Sequence, residues 1–193
     1  MTKAFDLRIA VPEVRRYIRV LAISGSLRAR SSNTALLESA ARLAHAGMEI
    51  AVFTGLGDLP HFNPDLDGEG HEAPLAVASL RELVSAADGL IISSPEYAHG
   101  IPGSMKNALD WLVSYPDFAG KPVVVWNASA AGGQRAQASL VEILTTMSAR
   151  LLVEASLVEP FLRKRLSPGA ELTDDDALLA VRSSLAALSA SCA

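Results

Sequence analysis

The chain has little cysteine, few aromatic residues and no long apolar run, and each shortage excludes a class of protein. Its one cysteine, Cys192, excludes an intrachain disulfide and a cysteine-rich metal site, so no metal centre is predicted and a reducing, cytoplasmic location is expected. Because Cys192 lies beside the C-terminus, we expect an idle thiol on a frayed tail. No apolar run reaches the roughly 18 residues that span a bilayer, and charged residues interrupt the first 20 positions, so neither a membrane span nor a signal peptide is expected.

The chain also lacks a large excess of charge of either sign. The 17 basic and 21 acidic side chains give a net charge of -4, which argues against a non-specific nucleic-acid binder. Half of the 193 residues are hydrophobic, which excludes general disorder and provides enough apolar surface for one domain. We expect residues 1–18 to be an N-terminal extension and residues 19–193 to form that single domain.

Short apolar runs alternate with helical patterns along this domain. Runs without polar alternation, placed between helices, indicate a parallel sheet that helices cover on both faces. Thr173 and Asp176 have the spacing of a capping box before a final helix over 174–188. The pattern predicts an α/β, flavodoxin-like three-layer sandwich with a five-stranded parallel sheet in the order 2-1-3-4-5. The predicted strands are 20–23, 48–53, 90–92, 123–126 and 151–153, and the predicted helices include 33–45, 75–85 and one starting near 103.

Ligands of such sheets bind beyond the carboxyl ends of the strands, where the strand order reverses. The loop after the first strand runs from Ser24 to Thr34, directly before a helix whose free N–H groups favour a phosphate. Ordinary capping by Ser32 or Asn33 explains one polar residue, but not the cluster of hydroxyl, amide and guanidinium groups. The predicted phosphate-binding residues are Ser26, Arg28, Ser31, Asn33 and Thr34.

The loop after the third strand, Ser93 to Gly103, contains prolines and glycines that restrict its backbone. Such a rigid loop can offer backbone hydrogen bonds to a planar heterocycle, with Tyr97 covering the ring. A plain connector, in which Tyr97 caps the core and Glu96 is solvated, explains the local features equally well. The loop after the fourth strand, from Asn127 to Arg135, is rich in small residues that let a flat ligand approach the backbone.

Two charged features have modest interpretations. His99 can act as an acid or base, but the sequence places no serine, cysteine or carboxylate to form a relay with it, so a partly exposed loop histidine is expected. Lys106 and Asp110 stand at positions i and i+4 of the next helix, which predicts a weak surface ion pair.

Together these stretches resemble the NADPH-dependent FMN reductase family, which includes bacterial quinone, chromate and azo-dye reductases. The similarity runs from about Arg19 to Phe161. It differs at one position, because many members have Asn directly after the tyrosine, where this chain has Ala98. The matching motifs are Gly25-Ser26-Leu27-Arg28 with Ser31 and Asn33, then Pro95-Glu96-Tyr97, then Pro102-Gly103 with Lys106-Asn107-Ala108-Leu109-Asp110-Trp111, and Gly132-Gly133 with Arg135.

The resemblance implies a ping-pong oxidoreductase. NADPH or NADH would pass a hydride to bound FMN, and a small-molecule acceptor such as a quinone, azo compound, chromate or free flavin would take the electrons. No catalytic side chain is expected, because the flavin carries the chemistry. The resemblance also implies a homodimer or homotetramer, which the mean hydropathy of +0.26 suits. Beyond the phosphate loop, the implied cofactor-binding residues are Pro95, Glu96, Tyr97, Ala98, His99, Ser129 and Gly132.

Three other functions fit parts of the pattern. A non-enzymatic flavodoxin-like electron carrier or a flavin-binding sensor would share the fold, although Arg28 and the weak net charge count against a carrier. A nucleotide hydrolase or glycosyl transferase would need a carboxylate nucleophile, for which Glu96 is the obvious candidate.

Overall fold

Short parallel strands and the helices between them form the framework of the protein. The computed structural model describes residues 17–68, 70–128, 133–158 and 172–192. Within them the strands are β1 (Ile18–Ser24), β2 (Met48–Phe53), β3 (Gly89–Ser93), β4 (Pro122–Asn127), β5 (Arg150–Leu151) and β6 (Leu157–Val158). The helices are α1 (Ser32–Leu43), α2 (Leu75–Ala86), α3 (Gly103–Asp110), α4 (Gln134–Thr146) and α5 (Asp175–Cys192).

The sheet is parallel throughout, with the order β2-β1-β3-β4-β5. This confirms the predicted strand order. The order reverses between β1 and β3, which are direct neighbours, so the loops that leave their carboxyl ends start side by side. The predicted crevice therefore lies at this edge of the sheet.

The fifth position of the sheet differs from the prediction of one strand over 151–153. Two short strands occupy it: β5 pairs with the start of β4, and β6 pairs with its end. A 3-10 turn, Val153–Ala155, separates the two. The N–H of Val125 would face a continuous strand here, and instead it donates to Ser156 Oγ at 3.1 Å. One side chain thus replaces the missing ladder bond, which explains how the edge strand tolerates the interruption.

Alternate residues of each central strand enter two separate cores. Leu90 and Ile92 of β3 pack with α2, α3 and α4, whereas Ile91 packs with α1 and α5. All three side chains are fully buried, as expected of strands that are covered on both faces. The predicted three-layer sandwich is confirmed. In the described ranges, no helix combines the length and apolar character needed to cross a membrane.

The ends of the helices correct two predictions. Ser31 caps α1, because its Oγ accepts a hydrogen bond from Thr34 N at 3.2 Å, and neither Ser32 nor Asn33 does so. At α5, the Oδ1 of Asp174 accepts from Ala177 N at 3.0 Å, so Asp174 replaces the predicted Thr173–Asp176 box. An aspartate three residues before a free N–H has the preferred N-cap geometry.

The expectation of a frayed C-terminal tail is wrong for Cys192. The residue belongs to α5 and is partly buried, and its Sγ donates to the backbone oxygen of Asp88 at 3.4 Å. The helix packs closely over Gly89, where a Cβ would lie 2.8 Å from Cys192 Sγ and 3.0 Å from Leu188 Cδ1. Burial raises the pKa of the Cys192 thiol, which makes it less reactive.

Candidate functional site

The loop after β1 is braced by its own hydroxyl groups. Ser24 Oγ, at the end of the strand, accepts hydrogen bonds from Ser26 N at 3.3 Å and from Thr34 Oγ1 at 2.8 Å. Ser31 caps α1 from inside the same loop. These contacts close the loop over the first turn of α1, where backbone N–H groups and the helix dipole favour an anion.

Asn33 joins this loop to the two loops beside it. Its Oδ1 accepts a hydrogen bond from Ser93 Oγ at 2.9 Å and another from Ala128 N at 3.1 Å. Ser93 ends β3 and Ala128 follows β4, and both are buried together with Asn33. One amide oxygen therefore holds the carboxyl ends of β1, β3 and β4 at fixed separations. Neither Ser93 nor Ala128 was singled out from the sequence, because each looks like an ordinary strand end.

Gly25 lies where the loop after β1 packs against the loop after β3. Its N–H donates to Ser93 O at 2.8 Å, and a Cβ at this position would lie 2.7 Å from Ser94 Oγ. Only a residue without a side chain fits this contact unless the serine shifts. The glycine of the Gly25-Ser26-Leu27-Arg28 motif is thus explained by packing against the loop after β3.

The segment after Pro95 makes a tight two-residue turn. Tyr97 and Gly100 exchange backbone hydrogen bonds of 2.9 and 3.0 Å, and between them Ala98 has φ 49° and His99 has φ 64°. Two successive residues in the left-handed region define the turn type that prefers Asn-Gly. The Tyr97 side chain is 51% exposed, which rules out the alternative that it caps the core.

Glu96 is not solvated, because it contacts the start of α4, where the third loop (the loop after β4) ends. Its Oε2 accepts hydrogen bonds of 3.0 Å from the N–H groups of Arg135 and Ala136, in the first turn of α4. Its Oε1 lies 3.3 Å from His99 Nδ1, so a carboxylate does pair with this histidine, contrary to the expectation from sequence. The hydrogen bond from Ala136 is the main reason that the pKa of Glu96 lies below its usual range; those from His99 and Arg135 add to it, and partial burial opposes it.

Part of the third loop lies outside the described residues. This holds for two of the predicted residues, Ser129 and Gly132, which therefore stay predictions. The flanking residues are described. Gly133 has φ +58°, and a Cβ there would lie 2.1 Å from Asn127 Nδ2, which donates to Gly133 O. The segment thus re-enters α4 through a position that only glycine occupies without strain.

The Lys106–Trp111 segment, which covers the end of α3 and the residue after it, anchors a neighbouring loop. Asn107 Oδ1 accepts from Phe62 N at 2.7 Å, and Asn107 Nδ2 and Trp111 Nε1 both donate to Pro60 O. The Phe62 and Trp111 rings pack edge to face at 5.0 Å. These contacts give the motif a structural role that sequence reasoning missed. The predicted Lys106–Asp110 ion pair is confirmed at 2.5 Å.

Arg81 of α2 holds the far end of that loop. Its guanidinium donates to Asp67 Oδ1 at 2.6 Å, to Trp111 O at 2.7 Å and to Ser114 Oγ at 3.1 Å. The side chains of Arg81 and Asp67 are only 15% and 8% exposed. No motif marked this cluster, because its members lie far apart in the sequence.

The predicted residues gather on one edge of the sheet. Arg28 is exposed there, and among the described residues no carboxylate pairs with it. No group of three or more metal-ligating side chains occurs in the described part of the chain. The residues brought to this edge are Ser26, Arg28, Ser31, Asn33 and Thr34 from the first loop, and Pro95, Glu96, Tyr97, Ala98 and His99 from the second.

Comparison with known proteins gives one consistent result. The model of the NADPH-dependent FMN reductase family matches residues 18–161. The quinone reductase of Escherichia coli K12 is 33% identical over 155 residues, which cover 78% of this chain and 82% of that protein. An NAD(P)H-dependent FMN reductase of Pseudomonas aeruginosa is 35% identical over 175 residues, covering 89% of this chain and 93% of its own.

A solved structure agrees with the sequence relatives. The flavoenzyme NAD(P)H:(acceptor) oxidoreductase of Paracoccus denitrificans has a TM-score of 0.80 at 26% identity, covering 91% of this chain and 97% of that one. The family match includes all three loops that Asn33 joins. The chain therefore belongs to the NADPH-dependent FMN reductase family.

Proposed function

We propose that this chain is an FMN-dependent oxidoreductase that uses NADPH or NADH to reduce a small-molecule acceptor. The observation that carries the proposal is the junction at Asn33, whose amide oxygen bonds to Ser93 and Ala128. This junction joins three loops into one surface at the point where the strand order reverses. Flavin sites of doubly wound sheets lie at this point.

The first loop suits a phosphate. Ser31 caps α1, Ser26 adds a second hydroxyl group to the same loop, and Arg28 adds an exposed guanidinium. The hydroxyl of Thr34 already donates to Ser24, so Thr34 supports the loop and leaves its own oxygen as an acceptor. A guanidinium with hydroxyl and N–H donors at a helix start is a set that fits a dianionic phosphate.

The second and third loops suit a flat ring. The turn of residues 97–100 presents backbone groups and an exposed Tyr97 side chain, and the loop after β4 is rich in small residues, which let a flat ligand approach the backbone. Backbone N–H groups of the turn after β3 can stabilise negative charge on a bound ring. We assign the ring to Pro95, Glu96, Tyr97, Ala98, His99, Ser129 and Gly132 on this basis and on the family motifs.

When bound, FMN supplies the redox chemistry, which is two-electron transfer between the nicotinamide and the acceptor. The residues of this chain do the rest. Arg28 and the hydroxyl groups of the first loop retain the phosphate by charge-assisted hydrogen bonds. The buried bonds of Asn33 hold the first turn of α1, the end of β3 and Ala128 together before binding, which favours a preorganised site. Oε2 of Glu96 accepts two backbone hydrogen bonds and Oε1 lies against His99, so both carboxylate oxygens are engaged, which disfavours the hydrolase and transferase alternatives.

The finer features of the function are also proposals. The open, exposed turn around Tyr97 suits flat acceptors such as quinones, azo compounds or free flavins, and its openness also admits a small oxyanion such as chromate. We propose a cytoplasmic location because the chain has a single cysteine. We propose a homodimer or homotetramer because large apolar side chains such as Leu27, Val113 and Leu179 are more than half exposed. A monomeric mass in light scattering would contradict this last proposal.

An absorbance spectrum tests the function directly. The purified protein is mixed with FMN, desalted and then treated with NADPH without oxygen. A retained flavin band that bleaches within seconds supports the oxidoreductase. A retained band that does not bleach with NADPH or NADH favours an electron carrier or a sensor, and no binding in an equilibrium FMN titration overturns the proposal.

A further inference from the structure

Helix α4 begins without a cap of its own. Gly133 stands at its N-cap position and provides no side-chain oxygen, and its first turn contains no acidic residue. The free N–H groups of a helix start need acceptors, and the positive end of the helix dipole favours an anion. Glu96 meets both needs from about 40 residues earlier in the chain, since its Oε2 lies 3.0 Å from the nitrogens of Arg135 and Ala136.

The same carboxylate also contacts its own loop. Its Oε1 lies 3.3 Å from His99 Nδ1, and His99 is the second of the two left-handed residues in the turn of residues 97–100. The Glu96 side chain is 21% exposed, although that of His99 is 69% exposed. One carboxylate therefore bridges the turn after β3 and the first turn of α4.

We propose that Glu96 is a positioning residue that fixes the turn of residues 97–100 against the start of α4. The inference rests on the proposed function, because these two segments flank the place assigned to the flavin ring. By joining them, the carboxylate sets the width of the crevice before any ligand enters. A preorganised crevice loses less conformational entropy on binding, so the contact favours flavin binding without touching the phosphate.

The chemistry of the contact predicts how substitutions rank. In Glu96→Ala the two N–H groups lose their acceptor, and the turn is no longer held to α4. In Glu96→Gln the amide oxygen can still accept from Arg135 and Ala136, but the interaction of a full charge with the helix dipole is lost. The expected order of flavin affinity is wild type, then Glu96→Gln, then Glu96→Ala.

The experiment compares these two variants with Glu142→Ala and Glu142→Gln. Glu142 lies on α4 itself, exposed and about two turns beyond the residues that Glu96 contacts, so its variants control for the loss of a negative charge near this helix. Dissociation constants are measured for FMN and for riboflavin, which lacks the phosphate. Hydrogen exchange of the Ala136 amide is followed without flavin.

We expect Glu96→Ala to raise the dissociation constants of FMN and riboflavin by the same factor. That factor should be on the order of ten-fold, as for the loss of a helix cap. Glu96→Gln should weaken both by less, and the Glu142 variants should bind as the wild type does. Exchange of the Ala136 amide should be fastest in Glu96→Ala. Equal losses for both ligands would place the effect on the ring side, since a damaged phosphate loop would weaken FMN alone.

Two results would overturn the inference, and they differ from failure of the proposed function. The first is a Glu96→Ala variant that binds both flavins as tightly as Glu142→Ala does. The second is a Glu96→Ala variant that binds FMN more weakly than the wild type does but binds riboflavin equally well. If Glu96→Ala does not fold, Glu96→Gln alone decides the matter through the ratio of its two losses. A wild-type chain that binds neither flavin would overturn the proposed function itself, and with it any role for Glu96 in a flavin crevice.

Discussion

The amide oxygen of Asn33 accepts a hydrogen bond from the hydroxyl of Ser93 over a distance of 2.9 Å. Both residues are almost fully buried, with 4% and 0% of their surfaces exposed, although 60 positions separate them in the sequence. The same oxygen accepts from Ala128 N. A buried polar group without a partner is costly, so this junction holds the first turn of α1, the end of β3 and the start of the loop after β4 in one arrangement.

Replacement of Asn33 by alanine should therefore destabilise the protein strongly. It leaves the Ser93 hydroxyl and the Ala128 N–H without their acceptor, for which we expect a loss of about 2–4 kcal/mol in the free energy of unfolding. Urea denaturation measures this loss. Asn63→Ala is the matched control, because Asn63 caps an exposed 3-10 turn and should cost about 1 kcal/mol or less. Equal losses in the two variants would contradict the role of the junction.

The turn at Ala98 predicts a stabilising substitution. Ala98 has φ 49°, a left-handed conformation that costs a residue with a Cβ roughly 1 kcal/mol, and that Asn and Gly adopt more readily. We expect Ala98→Asn and Ala98→Gly to raise the free energy of unfolding by about 0.5–1 kcal/mol. This backbone requirement also explains why many family members have Asn at this position.

Ala119→Gly is the control for this effect. Ala119 is also exposed, but its φ is -60°, so glycine there should destabilise the protein by roughly 0.5–1 kcal/mol through the entropy of the unfolded chain. In thermal unfolding we expect Ala98→Gly to raise the Tm and Ala119→Gly to lower it. A Tm that falls in both glycine variants would show that the left-handed turn at Ala98 is not strained.

The close approach of Gly25 to Ser94 predicts a loss that a second substitution relieves. A Cβ on residue 25 would lie 2.7 Å from Ser94 Oγ and 3.2 Å from Ser94 Cβ. We expect Gly25→Ala to lower the free energy of unfolding by about 1–3 kcal/mol, as in other overpacked sites. Adding Ser94→Ala removes the nearer atom and should recover part of the loss. A double-mutant cycle measures the coupling, and strict additivity would exclude this contact as the cause.

Local patterns in the sequence were sufficient for the parallel sheet and its central strands, and they place the candidate site, which stays a prediction, at one edge of that sheet. The apolar run around Ile91 identifies a strand covered on both faces, and polar residues after such strands fall at one edge of a parallel sheet. The contacts that organise the site could not be predicted in the same way. Glu96 meets α4 across about 40 residues, and no local pattern encodes which helix lacks a cap.

Two of the errors have the same origin in tertiary packing. Cys192 looks like the end of a tail, but Gly89 leaves room for it against the sheet. The interruption of the fifth strand is tolerated because Ser156 Oγ accepts the hydrogen bond of Val125 N, and the pattern of apolar residues does not reveal such a replacement. In each case a partner far along the chain overrides the local preference.

The Asp67–Arg81 pair predicts a dependence of stability on pH. Desolvation raises the pKa of Asp67, but hydrogen bonds from Ser114 and Arg81 and the charge of Arg81 outweigh it, so the pKa lies below its ordinary value of 3.8. A carboxyl whose pKa is lowered by folding stabilises the protein above the unfolded-state pKa, and this stabilisation is lost as the pH falls through the folded-state pKa.

Asp67→Asn should therefore be less stable than the wild type at about pH 6, and the difference should shrink once the pH falls below the ordinary value. Urea midpoints at several pH values measure this difference. Asp65→Asn is the control, since Asp65 is exposed in the same loop and should show little change at either pH. If the difference in urea midpoint between wild type and Asp67→Asn stayed constant with pH, it would contradict the lowered pKa of Asp67.

The exposed guanidinium of Arg28 predicts how the cofactor's phosphate is recognised. A charged hydrogen-bonding partner of this kind contributes about 1.5–3 kcal/mol, so Arg28→Ala should raise the dissociation constant of FMN by roughly ten- to 150-fold. Riboflavin has no phosphate and should bind both proteins equally. Arg30→Ala is a control with the same charge change two residues away. Salt screens an exposed charge. The ratio of the FMN dissociation constants of Arg28→Ala and wild type should therefore fall as the salt concentration rises. An unchanged FMN dissociation constant, or an equal loss for riboflavin, would exclude Arg28 from the phosphate site and leave the first loop without its main cation.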